Sequence, residues 1–312
     1  MLSALILFDL LLVLVAAIFI ALQTLDNQVR IGIVEGIVAN LITTVSLTIL
    51  GVSAFIWFSV IERRWLFRFF GINRNALGVR IYLSRLQVKP GGTEGTEPIT
   101  TGYVGPTIVQ IEYEAGLLLL SLFQPRALAL IPDMLRELLS ALFVTLSDIE
   151  ARVVVTPKAL SEMDLLENLV SIGGAIYNSV SQHYLSQLGS FYYFTKSASG
   201  ERVMRARRSG GPDLEQEGRS RGHELACVQR LKDPDTGVTV FICAGLGSAA
   251  TYGSVLYLAQ HWRRLWRKYG DAEFGVCLAF DNQSHDEFPI ATPRVIDETV
   301  RRAGQADSDG SR

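Results

Sequence analysis

The 312-residue sequence lacks most of the patterns that mark hydrolases, metal sites and nucleic-acid-binding domains. Gly-x-Ser-x-Gly, Walker and His-Glu-x-x-His motifs are all absent, which leaves no recognisable hydrolase centre. The four histidines are scattered and no two share a spacing typical of metal ligands, so we predict no metal site. The net charge of -2 gives no electrostatic footprint for duplex nucleic acid, which we exclude as a partner.

Cysteine is also scarce. Cys227, Cys243 and Cys277 each lie in or beside an apolar, strand-like run, and no two of them are closely spaced. This pattern indicates buried thiols in a reducing compartment, which is typical of a cytoplasmic domain.

Long apolar runs, by contrast, are present at residues 4–22 and 37–61. A helix of about 20 apolar residues covers the roughly 30 Å of hydrocarbon in a bilayer. The alternative for the first run is a cleaved signal peptide, but Met1-Leu2-Ser3 supplies no cation and Asp9 interrupts the run. We therefore predict a two-helix transmembrane hairpin over residues 1–68, with the lipid bilayer as its partner.

The basic residues predict the orientation of this hairpin. Arg63, Arg64 and Arg68 follow the second run, whereas the turn between the runs holds only Arg30. Because basic residues beside membrane helices tend to stay in the cytoplasm, we expect the turn outside and the rest of the chain inside.

Small and polar residues recur within the second run. Asn40, Thr44, Thr48 and Gly51 are spaced by four, four and three residues, which places them on one helical face. Such a face lets helices approach closely and hydrogen bond within lipid. Packing of the two hairpin helices against each other explains the pattern, and so does a self-association face or a pore lining.

After the hairpin, strand-like and helix-like segments alternate. This order predicts an α/β fold, a Rossmann-like and mainly parallel sandwich, over residues 69–300. Runs at 225–231 and 238–243 flank an Asp-Pro-Asp-Thr-Gly turn, which adds a β-hairpin. Residues 196–224 lose apolar periodicity and are expected to form a flexible insertion, and residues 301–312 a disordered tail.

Three glycine-containing turns follow predicted strands. The first runs from Ser84 through Gly91, Gly92, Gly102 and Gly105 to Pro106, the second contains Gly173 and Gly174 and leads to Asn178, and the third contains Gly245, Gly247 and Ser248 and leads to Thr251. Glycine lets the backbone approach a ligand closely, and the helix that follows presents unpaired N–H groups to an anion. In an open α/β sheet such turns meet at the carboxyl ends of the strands, where ligands bind. The alternative is glycine used only for tight packing of strand against helix. The candidate ligand-binding residues in these turns are Ser84, Gly173, Gly174, Asn178, Gly245, Gly247, Ser248 and Thr251.

The third turn resembles a dinucleotide fingerprint only in part. Gly245 and Gly247 match its first two glycines, but Ala250 takes the third position. The turn also comes late in the domain, and no acidic residue follows about 20 positions later at a strand end. We therefore expect no NAD bound in the usual mode, and no cofactor.

Glu112 and Glu114 lie early on the predicted helix after the first turn. Two residues apart on a helix they point in different directions, so they do not form an acid–base pair. Glu114, which precedes an apolar run, is the better candidate for a carboxylate that binds a ribose or acts as a nucleophile. The alternative is an acid placed to favour the helix dipole.

The hairpin and four short motifs together resemble bacterial membrane effectors of nucleotide-signalling antiviral systems. Their sensor domains are Rossmann-like, related to the SLOG, TIR and nucleoside deoxyribosyltransferase folds. The motifs are Arg80-Ile81-Tyr82-Leu83-Ser84, Glu112-Tyr113-Glu114-Ala115, Asn168 to Gly174 with Asn178, and Gly245-Leu246-Gly247. The resemblance implies a multi-pass protein of the bacterial inner membrane with a cytoplasmic sensor. It also implies a nucleotide or cyclic nucleotide ligand, and homo-oligomerisation that breaches the bilayer.

Two other functions stay open. The deoxyribosyltransferase resemblance implies a nucleotide N-glycosidase or transferase, with Tyr82 near the substrate and Glu114 as nucleophile. Against it, Ser84-Arg85-Leu86 replaces the Ala-Gly-Pro that follows the first strand in those enzymes. A structural membrane adaptor is the third alternative.

Overall fold

The computed structural model describes residues 27–72, 78–84, 106–124, 150–157, 160–161, 166–186, 189–207, 214, 223–281 and 293–302. The chain divides into two compact units, Met1–Ser59 and Val60–Arg312. The first apolar run at 4–22 lies outside the described residues, as do residues 303–312 of the predicted tail.

Nine strands and four helices occupy the described ranges. The strands are β1 (Gly78–Leu83), β2 (Glu150–Val155), β3 (Asn168–Ile172), β4 (Tyr192–Lys196), β5 (Arg202–Ala206), β6 (His223–Lys232), β7 (Thr239–Gly245), β8 (Glu273–Asp281) and β9 (Arg294–Arg301). The helices are α1 (Asn27–Phe69), α2 (Pro106–Phe123), α3 (Ser179–Ser186) and α4 (Ser248–Tyr269).

Seven of these strands form the central sheet, in the order β2-β1-β3-β7-β6-β8-β9. β1, β2, β3 and β7 are parallel, and β6 is antiparallel to both β7 and β8. β8 therefore runs in the direction of β7, so the sheet is mostly parallel. β4 and β5 form a separate antiparallel pair. The predicted mixed α/β class is confirmed, and so is the β6–β7 hairpin.

The centre of the sheet is covered on both faces. Every residue of β3 and β7 is buried, as expected for central strands of a sheet covered on both faces. Val170 and Phe241 belong to a core cluster that also contains residues of α1, α2 and α4. Leu169 and Ile242 belong to the cluster on the other face, which contains residues of α3 and of the β4–β5 pair.

Helix α1 begins inside the predicted polar turn and continues beyond the second apolar run, to Phe69. Asn40 and Thr44 on the predicted polar face are exposed, and Thr48 donates its hydroxyl to the Thr44 carbonyl at 2.8 Å. Among the residues that the structure describes, no helix combines the length and the apolar character needed to cross a bilayer.

The last turns of α1 belong to the α/β unit. Leu66, Phe67, Phe69 and Phe70 are buried in its core, where the Phe69 ring lies 5.0 Å from the Phe241 ring. The compact units consequently divide after Ser59, nine residues before the predicted boundary at 68.

Arg230 of β6 hydrogen bonds to carbonyl groups at the C-terminal end of α1 and just after α4. Its side chain is only 2% exposed, and its guanidinium lies 5.7 Å from the centre of the Phe69 ring. It donates to the Arg68 carbonyl at the end of α1, and to the Gly270 and Ala272 carbonyls after α4. Burial lowers the pKa of Arg230 to about 10. A cation beside carbonyl groups at and just beyond the C-terminal ends of helices is stabilising.

Two sequence-based expectations need correction. Residues 202–206, inside the predicted flexible insertion 196–224, form the strand β5, and β6 begins at His223. Arg301, assigned to the disordered tail, ends β9 and donates to the Glu273 carboxylate at 3.3 Å. Charged residues interrupt both strands, so their apolar signal is weak.

Replacing Arg230 by methionine should destabilise the α/β unit by about 3 kcal/mol, because three carbonyls lose a charged donor. The matched control is Arg263→Met, which removes an exposed ion pair with Glu62 and should cost less than about 1 kcal/mol. Urea denaturation followed by tryptophan fluorescence measures both, since Trp262 packs beside Phe69. Equal losses in the two variants would contradict the role given to Arg230.

Candidate functional site

The carboxyl ends of β1, β3 and β7 meet at one edge of the sheet. β3 pairs in parallel with β1 on one side and with β7 on the other. Ser84, Gly173 and Gly245 therefore lie at the same edge, and the Gly173 N–H donates to the Cys243 carbonyl at 2.9 Å. We call this edge, with Ser84 and the second and third turns, the carboxyl edge. Residues 85–105 of the first turn lie outside the described residues.

The first two turns contact a buried carboxyl group on α2. Glu112 is 6% exposed and accepts a hydrogen bond from the Ser84 N–H at 2.8 Å. Gly173 has a φ of 112°, and a Cβ there would lie 2.0 Å from the Ser84 hydroxyl and 3.0 Å from the Glu112 carboxylate. Only glycine fits this turn. Burial raises the pKa of Glu112, and the Ser84 hydrogen bonds oppose that shift.

The sequence pattern pointed to Glu114, the other glutamate of this helix. Glu114 is exposed, whereas Glu112 contacts the carboxyl edge. Glu112 precedes Ala115, Leu119 and Phe123 by three, seven and eleven residues, and all three are buried. This helical spacing, applied to the sequence, identifies Glu112 as the inward-facing acid.

Asn178 organises the second turn. Its carboxamide oxygen accepts from the N–H groups of Val180 and Ser181, which caps α3. Its amide group donates to the Ile172 carbonyl at 2.9 Å and to the Tyr82 carbonyl at 3.3 Å. Asn178 thus joins β1, β3 and α3, and its hydrogen-bonding capacity is used within the fold.

The third turn is braced by Thr251. Its hydroxyl accepts from the Gly245 N–H at 3.1 Å and donates to the Gly247 carbonyl at 2.9 Å. A Cβ at Gly245 would lie 2.6 Å from the Thr251 nitrogen, so this glycine serves close packing of β7 against α4. Gly247 and Ser248 are half-buried, and Gly247, the N-cap of α4, has no side-chain capping bond.

Two charged residues at this edge, Arg202 and Glu224, were not predicted from the sequence. A Cβ at Gly174 would lie 3.1 Å from the Arg202 guanidinium, and a Cβ at Gly247 would lie 2.8 and 2.9 Å from the two oxygens of Glu224. Both charged residues come from the segment expected to be a flexible insertion. No local motif marks them, because the contacts depend on the pairing of β5 with β4 and of β6 with β7.

The opposite edge of the sheet has an open cavity of about 620 Å³. Within its lining, Tyr184 donates to Asp233 at 2.9 Å, and Arg301 pairs with Glu273 at 3.3 Å. None of the predicted site residues lines it. Within the described ranges, no group of three His, Cys, Asp or Glu residues is placed to hold a metal ion.

No protein-family model, curated protein or solved structure matches this chain. The fold itself defines a class: a mixed α/β protein, consistent with a Rossmann-like arrangement, with a mostly parallel central sheet and a separate β-hairpin. Its carboxyl edge combines glycine turns with a buried acid and two partly buried charges.

The raised pKa of Glu112 predicts a pH-dependent effect of Glu112→Gln on the free energy of unfolding. Below the ordinary glutamate pKa of 4.5, the acid is protonated in both the folded and the unfolded chain. As the pH rises through 4.5 towards the raised folded value, only the unfolded chain ionises fully, which destabilises the wild type. Glutamine does not ionise, so the variant should gain stability relative to the wild type over this window.

Chemical denaturation of both proteins between pH 4 and pH 8 measures this difference. Glu114→Gln, on the exposed side of the same helix, is the control for removal of a glutamate charge from α2. A flat profile for Glu112→Gln would contradict the assignment of Glu112 as a buried acid with a raised pKa.

Proposed function

We propose that this chain is a membrane-anchored effector whose cytoplasmic α/β domain binds a nucleotide-derived second messenger at the carboxyl edge. Ligand binding controls how the N-terminal helices associate, and their assembly disrupts the membrane in antiviral defence. The protein acts as a homo-oligomer in the bacterial inner membrane.

The ligand-binding proposal rests on groups from three parts of the chain that meet at the carboxyl edge of the sheet. Ser84, the Gly173-Gly174 pair and the Gly247-Ser248 pair come from distant parts of the chain and lie at adjacent strand ends. In open α/β sheets the crevice beyond the carboxyl ends of the strands is the usual place for a ligand. Convergence of polar groups and a shifted pKa at this edge favours a functional site over simple packing.

Two features support the membrane proposal. The first is the sequence itself, with apolar runs at 4–22 and 37–61. The second is the surface of α1 within the unit Met1–Ser59, where large apolar side chains including Leu41, Ile42 and Leu50 are each at least 60% exposed. Contiguous exposed apolar surface marks a partner, and lipid suits a helix of this composition.

The construction of α1 supports coupling between the ligand site and the membrane. A single helix carries the exposed apolar residues and, further along, the buried Leu66 and Phe69. Phe69 contacts Phe241 of β7, and β7 leads directly into the third turn. If the domain has two conformations that differ at this edge, a ligand shifts the equilibrium towards the one it binds more tightly, by the difference in its affinity for the two.

Helix association has a candidate surface on α1. Asn40, Thr44, Thr48 and Gly51 are exposed, and nothing lies within 4 Å of a Cβ placed at Gly51. Small and hydroxylated side chains permit close contact between membrane helices. We assign homo-oligomerisation to this face.

The full chain, reconstituted in lipid nanodiscs, should bind at least one of cyclic dinucleotides, 5′-AMP and NAD in a calorimetric titration. Inorganic phosphate serves as the control for non-specific anion binding and should give a weaker signal. Binding should also protect the domain from proteolysis, because a ligand that binds only the folded state stabilises it. No heat and no protection with any nucleotide would contradict the proposal.

A nucleotide N-glycosidase or deoxyribosyltransferase is the second candidate, and Glu112 is the observation that favours it. A buried carboxyl with a raised pKa beside the Ser84 turn is suited to proton transfer or nucleophilic attack. Release of free nucleobase during the same titration would support this enzyme. Glu112→Gln should then stop the release and preserve binding, whereas Glu114→Gln should preserve both.

A further inference from the structure

We propose that Arg202 and Glu224 are ligand-binding residues of opposite charge, which select a nucleoside phosphate with its phosphate at Arg202 and its hydroxyl or amino groups at Glu224. The inference rests on the proposed function and assigns the chemistry of its ligand. It also reverses the expectation that the third turn binds an anion.

Arg202 is held in place by the anchoring of the β4–β5 pair to the central sheet. The buried side chain of Gln229 accepts from the N–H groups of Phe191 and Tyr192 and donates to the Tyr192 carbonyl at 3.1 Å. β5 then pairs in register with β4, with Arg202 opposite Lys196. This pairing fixes the backbone from which the Arg202 side chain reaches the second turn.

The absence of a side chain at position 174 leaves room for this guanidinium. A Cβ at Gly174 would lie 3.1 Å from Nη2 of Arg202. A guanidinium matches the geometry of a phosphate group and forms paired, charge-assisted hydrogen bonds with it. Arg202 therefore favours an anionic group beside the second turn.

Glu224 determines what the third turn accepts. The Leu246 N–H donates to the Leu225 carbonyl at 2.9 Å, which fixes the start of β6 beside the turn. Both carboxylate oxygens of Glu224 then lie within 2.9 Å of the Cβ position of Gly247, next to the start of α4. A negative charge already occupies the positive end of that helix, so a phosphate would meet repulsion here. Hydroxyl and amino groups, which donate hydrogen bonds to a carboxylate, are favoured instead.

The two charges lie beside adjoining turns. A Cβ at Gly174 would lie 3.9 Å from the Gly245 carbonyl, so the second turn adjoins the third. The ion pairs formed among the described residues involve neither Arg202 nor Glu224. A ligand that carries an anion at one end and donors at the other complements both groups, and a nucleoside monophosphate has this polarity.

The test measures binding of 5′-AMP, adenosine and inorganic phosphate to the full chain in nanodiscs by calorimetry. Arg202→Gln should weaken 5′-AMP binding about tenfold or more and leave adenosine unchanged, because only the nucleotide carries the phosphate. Glu224→Gln should weaken 5′-AMP and adenosine to a similar degree and leave phosphate binding unchanged or stronger. Arg202→Lys, which keeps the charge without the paired donors, should fall between wild type and Arg202→Gln.

Arg205→Gln and Glu201→Gln are matched controls, because each removes an exposed charge from the same hairpin. Both should bind 5′-AMP within about twofold of the wild type, as expected for exposed charges outside the site. Unchanged 5′-AMP affinity in Arg202→Gln and Glu224→Gln, with unfolding transitions like that of the wild type, overturns this inference and leaves the proposed function intact. Binding of a cyclic dinucleotide by the wild type without binding of 5′-AMP or adenosine also overturns this inference and leaves the proposed function intact. A wild type that binds no nucleotide at all overturns both.

Discussion

Parallel pairing of β3 with both β1 and β7 is the constraint on which the rest of this structure depends. Because the three strands run in one direction, the turns that follow them meet at one edge. An antiparallel partner in place of either neighbour would send one turn to the opposite edge. Asn178 reinforces the arrangement by bonding the backbone of β1 and β3 while it caps α3.

The glycines at this edge have different physical roles. Gly173 adopts a backbone conformation that other residues avoid, and it lies against Ser84 and the buried Glu112. Gly245 permits close packing of a strand on a helix. Gly174 and Gly247 instead leave space that charged side chains occupy. The second and third turns look alike in sequence, and both resemble anion sites. They differ in charge, because the Arg202 guanidinium lies beside the second turn and the Glu224 carboxylate beside the third.

Part of the central fold was predictable from the sequence because strands such as β7 are apolar over most of their length. The runs at 225–231 and 238–243 were expected to form a β-hairpin, and they lie within the paired strands β6 and β7. β5 and β9 were missed because charged residues interrupt their apolar pattern. The predicted boundary at 68 falls nine residues beyond the division after Ser59. Hydropathy alone does not show that Leu66 and Phe69 are buried in a core.

The site was harder to predict because its contacts are tertiary. The three turns were recognised from glycine and strand spacing, which are local signals. The choice between Glu112 and Glu114 required the burial pattern of the whole helix α2. Arg202 and Glu224 required the pairing of β4 with β5 and of β6 with β7, which brings residues from a charged segment to the edge.

The central claim is that a nucleotide bound at the carboxyl edge controls association of the N-terminal helices. Dye release from phospholipid vesicles that contain the full chain tests it most directly. The account predicts that release begins on addition of a nucleotide that the chain binds, and that replacing Thr44 and Thr48 by leucine abolishes release but preserves binding. Release that is the same with and without bound nucleotide would contradict it.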